Sequence, residues 1–365
     1  GVQVVVQATT DGSLPQATAV AWSPGGDWLA YTLRTPGAET GPGDSHPVDG
    51  LWLRGRDGQT NRLAASVYPG DGTSAGRIFT GPVDWHPDGT ELLAGHGIDA
   101  TRSEIAYSRV NIVSWQATPI WNTTTLLPSA YQFAQWSVNG NSIITSGAGQ
   151  VLRIEPDTLG VLQTFVAPDA GWWPERAQQF GNGAVTFLNS PANADRTGPT
   201  DGPRQLYLQR ADQIAPQPVS DSLTTFGRVD FVWDNIGTQT LLVVYEPPDA
   251  PVGVPYLRNA QNTLFDLTPL LGTVGAPRWG PLFRPGDTAR ITTVQGDPLN
   301  LRATPNGDRI TGLANGTQVT IIGGPRQAGG YRWWQIRTAN GVAGWSVESV
   351  EGADGLRLRT LLPVE

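Results

Sequence analysis

A chain of 365 residues exceeds one small domain and allows two or three units, or one large repetitive fold with an appendage. Its 24 basic residues, all Arg, stand against 32 Asp and Glu; the net charge of −8 argues against a general nucleic-acid binder or a protein of anionic membrane surfaces. Charged residues make up only 15% of the chain, while 45 Gly and 30 Pro amount to about a fifth of it, a balance that favours many turns over long helices. With 39% hydrophobic residues and 14 Trp the chain still buries a sizeable core, so the composition is that of an all-β protein.

The absence of Cys removes disulfides, thiolate metal sites, iron–sulfur clusters and cysteine nucleophiles together. Met is absent too, and the chain opens Gly1-Val2-Gln3, so a removed N-terminal signal or anchor is expected. No apolar run approaches the roughly 18–20 residues that span a bilayer. A chain without the two readily oxidised side chains suits an extracytoplasmic protein (secreted, cell-surface or periplasmic), although Arg in place of Lys also suits a nucleotide-composition bias.

In chain order, one pattern recurs: an aromatic residue, a short polar turn with Gly, then an apolar run. It reads WSPGGDWLAYTL from Trp22, WHPDGTELLAG from Trp85, WSVNGNSIITSG from Trp136, FGNGAVTFLN from Phe180 and WDNIGTQTLLVVYE from Trp233, with a truncated copy at Trp279. These intervals lie around the roughly 40–50 residues of a four-stranded propeller blade. Each copy parses alike. A first strand ends on the aromatic (16–22, 82–85, 131–136, 176–180, 228–233), and the turn leads into a second. A third follows at 51–56, 105–112, 151–156, 205–210 and 255–260, then a fourth such as 118–123, 162–166 or 263–268. The pattern resembles the Trp-Ser-Pro-Asp-Gly repeats of the TolB-like propeller family; WSPGG and WHPDG match well, while the later copies keep the aromatic and the turn but lose the Pro. Residues 2–18 look like a third and fourth strand without a first or second, so they are expected to complete the truncated last copy. The expectation is therefore a six-bladed propeller over 1–285 closed by strands from both ends, with five blades as the alternative.

Residues 286–365 change character. Leu299-Asn300-Leu301-Arg302 with Pro305, Gly316-Thr317-Gln318-Val319, Trp334-Gln335-Ile336-Arg337 and Gly341 to Gly344-Trp345-Ser346 closely resemble the signature of the bacterial Src-homology-3-like domain, a small β-barrel. That resemblance implies binding of cell-wall peptidoglycan or of peptides. The tail 352–365 lies beyond the family pattern and is expected to pair back as an extra strand.

Three His limit the available chemistry. His86 sits in a repeat turn, His96 at a strand end and His46 in a Gly/Pro loop; no third ligand joins His86 and His96, so no metal is expected. Neither a GxSxG elbow, a phosphate loop, a dinucleotide fingerprint nor an EF-hand spacing occurs, so no cofactor is expected, and the isolated Asp-Gly pairs read as turns. Carboxylates on separate blades converge only in three dimensions, so spacing says nothing of a glycosidase-type pair.

The long connections all fall on one propeller face, at 35–50, 66–76, 167–174, 189–203 and 246–253. Long connections in a compact repeat fold carry function. There Trp172 and Trp173, adjacent in a Pro/Gly loop, are the candidate contact anchors, with Tyr68 and His46 as companions. In the second domain Tyr331, Trp333, Trp334 and Trp345 resemble the family's groove aromatics. Trp334 and Trp345 are expected in the core; Tyr331 and Trp333 alternate away from Trp334 and are expected to face a peptide or glycan.

Together these readings predict a non-enzymatic binding or scaffold protein whose partner is a protein or a cell-wall glycan or peptide, without nucleic acid. A structural subunit of a surface assembly is one alternative. A carbohydrate- or peptide-acting hydrolase or lyase at the channel mouth is another, and it would need converging carboxylates or a carboxylate with His. The short, Pro-containing link at 281–287 also allows the second domain to pack on the propeller as a brace.

Overall fold

The computed structural model describes the chain apart from residues 1–14, 36–46, 68–77, 98–104, 113–115, 120–130, 148, 159, 167–170, 181–182, 196–197, 201–203, 211–212, 220–227, 235–238, 247–251, 260–262, 275–281, 294–296, 352–356 and 365. Twenty of its strands form five antiparallel four-stranded sheets, each in sequence order from the innermost strand outward. The first blade holds β1 (Gln16–Trp22), β2 (Trp28–Arg34), β3 (Gly50–Gly55) and β4 (Thr60–Ala65). The second holds β5 (Ile78–Trp85), β6 (Glu91–Gly97), β7 (Ile105–Asn111) and β8 (Gln116–Pro119). Blade three is β9 (Tyr131–Trp136), β10 (Ile143–Gly147), β11 (Gln150–Ile154) and β12 (Val161–Val166). Blade four is β13 (Trp172–Phe180), β14 (Ala184–Pro191), β15 (Gln205–Gln209) and β16 (Gln217–Pro218). Blade five is β17 (Arg228–Trp233), β18 (Thr240–Tyr245), β19 (Val254–Arg258) and β20 (Leu264–Asp266), followed by the one-turn helix α1 (Thr268–Leu271). The described residues thus make five blades, the alternative count; residues 1–14 and the copy at Trp279, on which a sixth blade depended, lie outside them.

Burial explains why the second strand of each repeat reads as a continuous apolar run rather than an alternating one. β2, β6 and β14 are buried along nearly their whole length, as strands covered on both faces are. Core clusters accordingly run between blades: Leu51, Phe79, Trp85 and Leu92 join the first two, Ile144, Ala177 and Phe187 the third and fourth, and Leu206, Phe231 and Trp233 the fourth and fifth.

Polar contacts stitch the innermost strands around the channel. The Trp85 indole N–H donates to the Ala21 carbonyl at 3.0 Å, Asp84 Oδ2 accepts from the Trp136 N–H at 2.7 Å, Gln179 Oε1 from the Val138 N–H at 3.2 Å, and Gln178 Nε2 donates to the Phe231 carbonyl at 2.7 Å. In three copies the side chain of the residue after the aromatic closes the turn. Ser23 Oγ accepts from the Trp28 N–H at 3.0 Å, Ser137 Oγ from Ser142 N–H at 3.0 Å, and Asp234 Oδ1 does the same for Gln239 N–H at 3.1 Å. His86 holds this position in the second copy. Its ring sits edge-on to Trp136 at 4.7 Å, over Gly140, whose φ of 74° and lack of a Cβ the turn requires. Ser137 also donates to Asn139 Oδ1 at 2.8 Å and is buried, so Ser137→Ala is expected to cost about 1–2 kcal/mol, read as a lower urea midpoint at unchanged slope.

The remaining strands form the C-terminal barrel: β21 (Thr288–Ile291), β22 (Leu299–Arg302), β23 (Arg309–Leu313), β24 (Gln318–Ala328), β25 (Tyr331–Thr338), β26 (Ala343–Val347), β27 (Ser349–Glu351), β28 (Arg357–Arg359) and β29 (Leu361–Pro363). Seven of them form one sheet in the order β23-β22-β26-β25-β24-β21-β29, and β27 pairs with β28. The tail does return as strand, β29 on β21 and β28 on β27. The barrel core centres on Trp334, Ile336, Leu301, Ile321 and Leu361, and it takes in Phe283, which meets Trp334 edge-on at 5.5 Å; the link from the propeller is therefore packed into the barrel.

Candidate functional site

The barrel rests on the tight-turn face of the propeller and bridges its first and last described blades. On blade one, the Arg284 guanidinium lies 5.7 Å from the centre of the Trp22 ring, and a Cβ on Gly25 would stand 3.2 Å from the Gly324 carbonyl oxygen. On blade five, Arg359 donates from Nη2 to Asp234 Oδ2 at 3.1 Å and from Nη1 to Glu348 Oε1 at 3.2 Å. Glu348 Oε2 in turn accepts from the Trp334 indole at 2.8 Å. Asp234 and Glu348 are buried carboxylates, 3% and 0% exposed at the side chain, and Arg359 pairs with both in a low-dielectric seam, its single charge shared between them. Asp234 occupies the repeat position that Ser holds in the first and third copies: one oxygen closes the turn and the other anchors the barrel.

Between the two domains lies a cavity of about 480 Å³ lined by the repeat tryptophans Trp22, Trp85, Trp136 and Trp233, by glutamines, and by Arg332 and Arg359 from the barrel. Arginines back two of these indoles, Arg109 at 5.5 Å from the Trp136 ring centre and Arg258 at 5.4 Å from that of Trp233. Burial holds the Arg258 pKa below the ordinary arginine value.

Further up the channel, a non-glycine residue in the left-handed region, Arg176 (φ 54°), sits in a bulge of β13 and pairs with Asp230 on β17. Tyr245 donates its hydroxyl to Asp230 Oδ2 at 2.9 Å, and Ser190 Oγ to Glu175 Oε2 at 2.6 Å. The channel carboxylates are thus held by arginine and hydroxyl groups within the wall. Among the described residues no three His, Asp or Glu side chains gather as metal ligands.

A second cavity, about 570 Å³, opens on the far side of β25. Tyr331 and Trp333 line it with Asn300, Arg302 and Asp297, and Leu358–Thr360 of the returning tail contributes to its lining. Arg302 is held by the Gly307 carbonyl at 2.7 Å. Strand alternation sends Arg332 to the other side, into the interdomain cavity.

Trp172 and Trp173 lie on β13 rather than in a loop, because the innermost strand pairs with β14 as far as Trp172↔Pro191. Trp173 is buried, and only Trp172 stays half-exposed. Trp333 is not turned away from the core: it is 4% exposed, tied by its indole to the Ala328 carbonyl at 2.9 Å, and it shows the groove only part of its surface. Trp345 is core as expected, stacked under Arg326 at 5.2 Å, and does not line the groove. Tyr331 is half-buried at the groove, Trp334 fully buried, and Tyr68 and His46 lie outside the described residues. His86 proves to be a turn residue paired with Asp88, and His96 is buried against Ser108 at 3.0 Å, so the two do not converge. Arg302, Arg332, Arg359, Asp234 and Glu348 were missed; the departure from Ser at 234 was the one signal in the sequence that could have found any of them.

The architecture is a β-propeller carrying a C-terminal SH3-type barrel. Residues 297–350 match the family described as Bacterial SH3 domain. No curated protein matches the chain. Among solved structures, the fold is similar to hydrazine synthase of Kuenenia stuttgartiensis (12% identity, 92% of this chain and 79% of that one, TM-score 0.43). It is similar also to a protein assigned as TolB from Agrobacterium tumefaciens (13% identity, 60% and 69%, TM-score 0.39) and to virginiamycin B lyase from Staphylococcus aureus (12% identity, 93% and 86%, TM-score 0.42). Among the described residues no helix is long and apolar enough to cross a membrane.

Proposed function

We propose that the chain is a non-enzymatic extracytoplasmic binding and scaffold protein: the C-terminal domain takes a wall peptide or glycan strand in its groove, and the propeller offers its long-loop face to a protein or glycan partner. The observation that carries this is the β25 groove, an aromatic floor with the Arg302 guanidinium, Asn300 and Asp297 at hand, the mixture of flat apolar surface and fixed polar groups that a small binding cleft requires. The barrel's docking on the tight-turn face supports the second half, since the barrel then does not occupy the opposite one. Retention of the whole chain on insoluble peptidoglycan tests the reading. Tyr331→Ala and Arg302→Ala are each expected to cut retention about tenfold at an unchanged melting temperature. Equal retention of wild type and both variants, or no retention at all, would overturn it.

A structural subunit of a surface assembly is favoured by one further observation. The rim carries exposed apolar side chains, Val161 and Leu162 on edge strand β12 and Phe265, Leu270 and Leu271 beside blade five, the kind of surface that associates. Light scattering that finds only monomer at micromolar concentration would remove that reading.

A further inference from the structure

We propose that the cavity between propeller and barrel binds a small hydroxyl-rich monocarboxylate, a sugar acid, with its carboxylate on Arg332. The site lies across β25 from the groove, since Arg332 projects from the opposite side of that strand, and Arg359 lines both cavities.

Most polar groups of the cavity are already engaged. Asp84 receives the Trp136 N–H, Asp234 and Arg359 hold each other, and Gln178 and Gln179 bond to backbone. Arg332 is different: its guanidinium makes no ion pair or hydrogen bond with a described residue, and its Nε is buried. Nε itself is out of reach of a ligand, whereas the two Nη groups are not among the buried atoms, and a ligand carboxylate in the cavity would meet these with charge-assisted hydrogen bonds. The side-chain amides of Gln135, Gln239 and Gln327 line the same space and likewise make no hydrogen bond to a described residue, so donors and acceptors for hydroxyl groups stand beside the cation. Indole surface completes the wall and suits the C–H face of a sugar ring. Of the two arginines in the lining, Arg359 is already paired with Asp234, which leaves the one cation Arg332 for a single carboxylate and none for a second negative charge, so a monocarboxylate is selected over phosphate or a dicarboxylate. The volume, about 480 Å³, accommodates one or two sugar units.

Calorimetric titration of the full chain with D-glucuronate and D-galacturonate, alongside tryptophan emission, tests the assignment, with D-glucose, inorganic phosphate and glycylglycine as comparisons. At least one uronate is expected to bind and to shift the emission, with glucose and phosphate weaker by about 10- to 100-fold. Arg332→Gln should lose binding by a similar factor with the melting temperature retained, Gln327→Ala several-fold, and Tyr331→Ala not at all. The proposal is overturned if neither uronate binds at millimolar concentration, if phosphate or glycylglycine binds as well as the best uronate, or if Arg332→Gln binds as wild type does. Because Tyr331→Ala tests the groove alone, the two sites fail or succeed separately.

Discussion

Arg359→Ala is expected to destabilise the chain by about 3–5 kcal/mol, the range for removing one partner of a buried charge pair. Two carboxylates pair with this guanidinium, Glu348 at 0% and Asp234 at 3% side-chain exposure, and without it both lose that ion pair inside a buried seam. The arginine itself is 21% exposed, so water entering the vacated space places the effect near the lower end of the range. Asp234 separates the two functions of its carboxylate. Asp234→Asn retains an acceptor for the Gln239 N–H and loses the ion pair, whereas Asp234→Ala loses both and should cost about 1 kcal/mol more. A double-mutant cycle between Arg359 and Asp234, read in urea, isolates the coupling of barrel to propeller. A coupling energy near zero would mean that the barrel is not held by this contact.

The second large effect belongs to Trp334. It is fully buried at the centre of the barrel core, against Phe283, and its indole N–H satisfies Glu348 Oε2. Trp334→Ala creates a cavity and leaves that oxygen without its donor, so a loss of about 3–5 kcal/mol is expected, comparable to the whole stability of many small domains. Trp334→Phe keeps much of the packing and removes only the donor and part of the ring, for about 1–3 kcal/mol. Because Glu348 connects this core to Arg359, the alanine variant should also loosen the barrel from the propeller, giving separate unfolding transitions in calorimetry. A single transition at the wild-type temperature would contradict the packing described.

The groove and the interdomain cavity make opposite demands on β25. Tyr331 and Trp333 face one and Arg332 the other, so a one-residue shift of register would exchange the two sites and abolish both.

What the amino-acid order determined by itself was local: the repeated aromatic-turn-strand unit, the tight turns at Ser23 and Ser137, the all-β class, and the bacterial SH3 segment. Strand ends came out within a residue or two where a Gly turn and an apolar run mark them, as at 16–22, 131–136 and 228–233. These features depend on neighbours a few residues away, which the sequence displays directly. Only the tertiary structure decided the rest. Trp172 and Trp173, which their Pro/Gly setting had placed in a loop, became strand because β14 extends far enough to pair with them, and Trp333, which alternation had turned outward, packs in the barrel core with its indole N–H on the Ala328 carbonyl. The number of described blades follows from strand pairing within the propeller, whereas the seam between Asp234 and Arg359, 125 residues apart, and the cavity that holds Arg332 arise from surfaces that meet only when the barrel docks, and burial, charge pairing and cavity shape are properties of that meeting rather than of either stretch of chain.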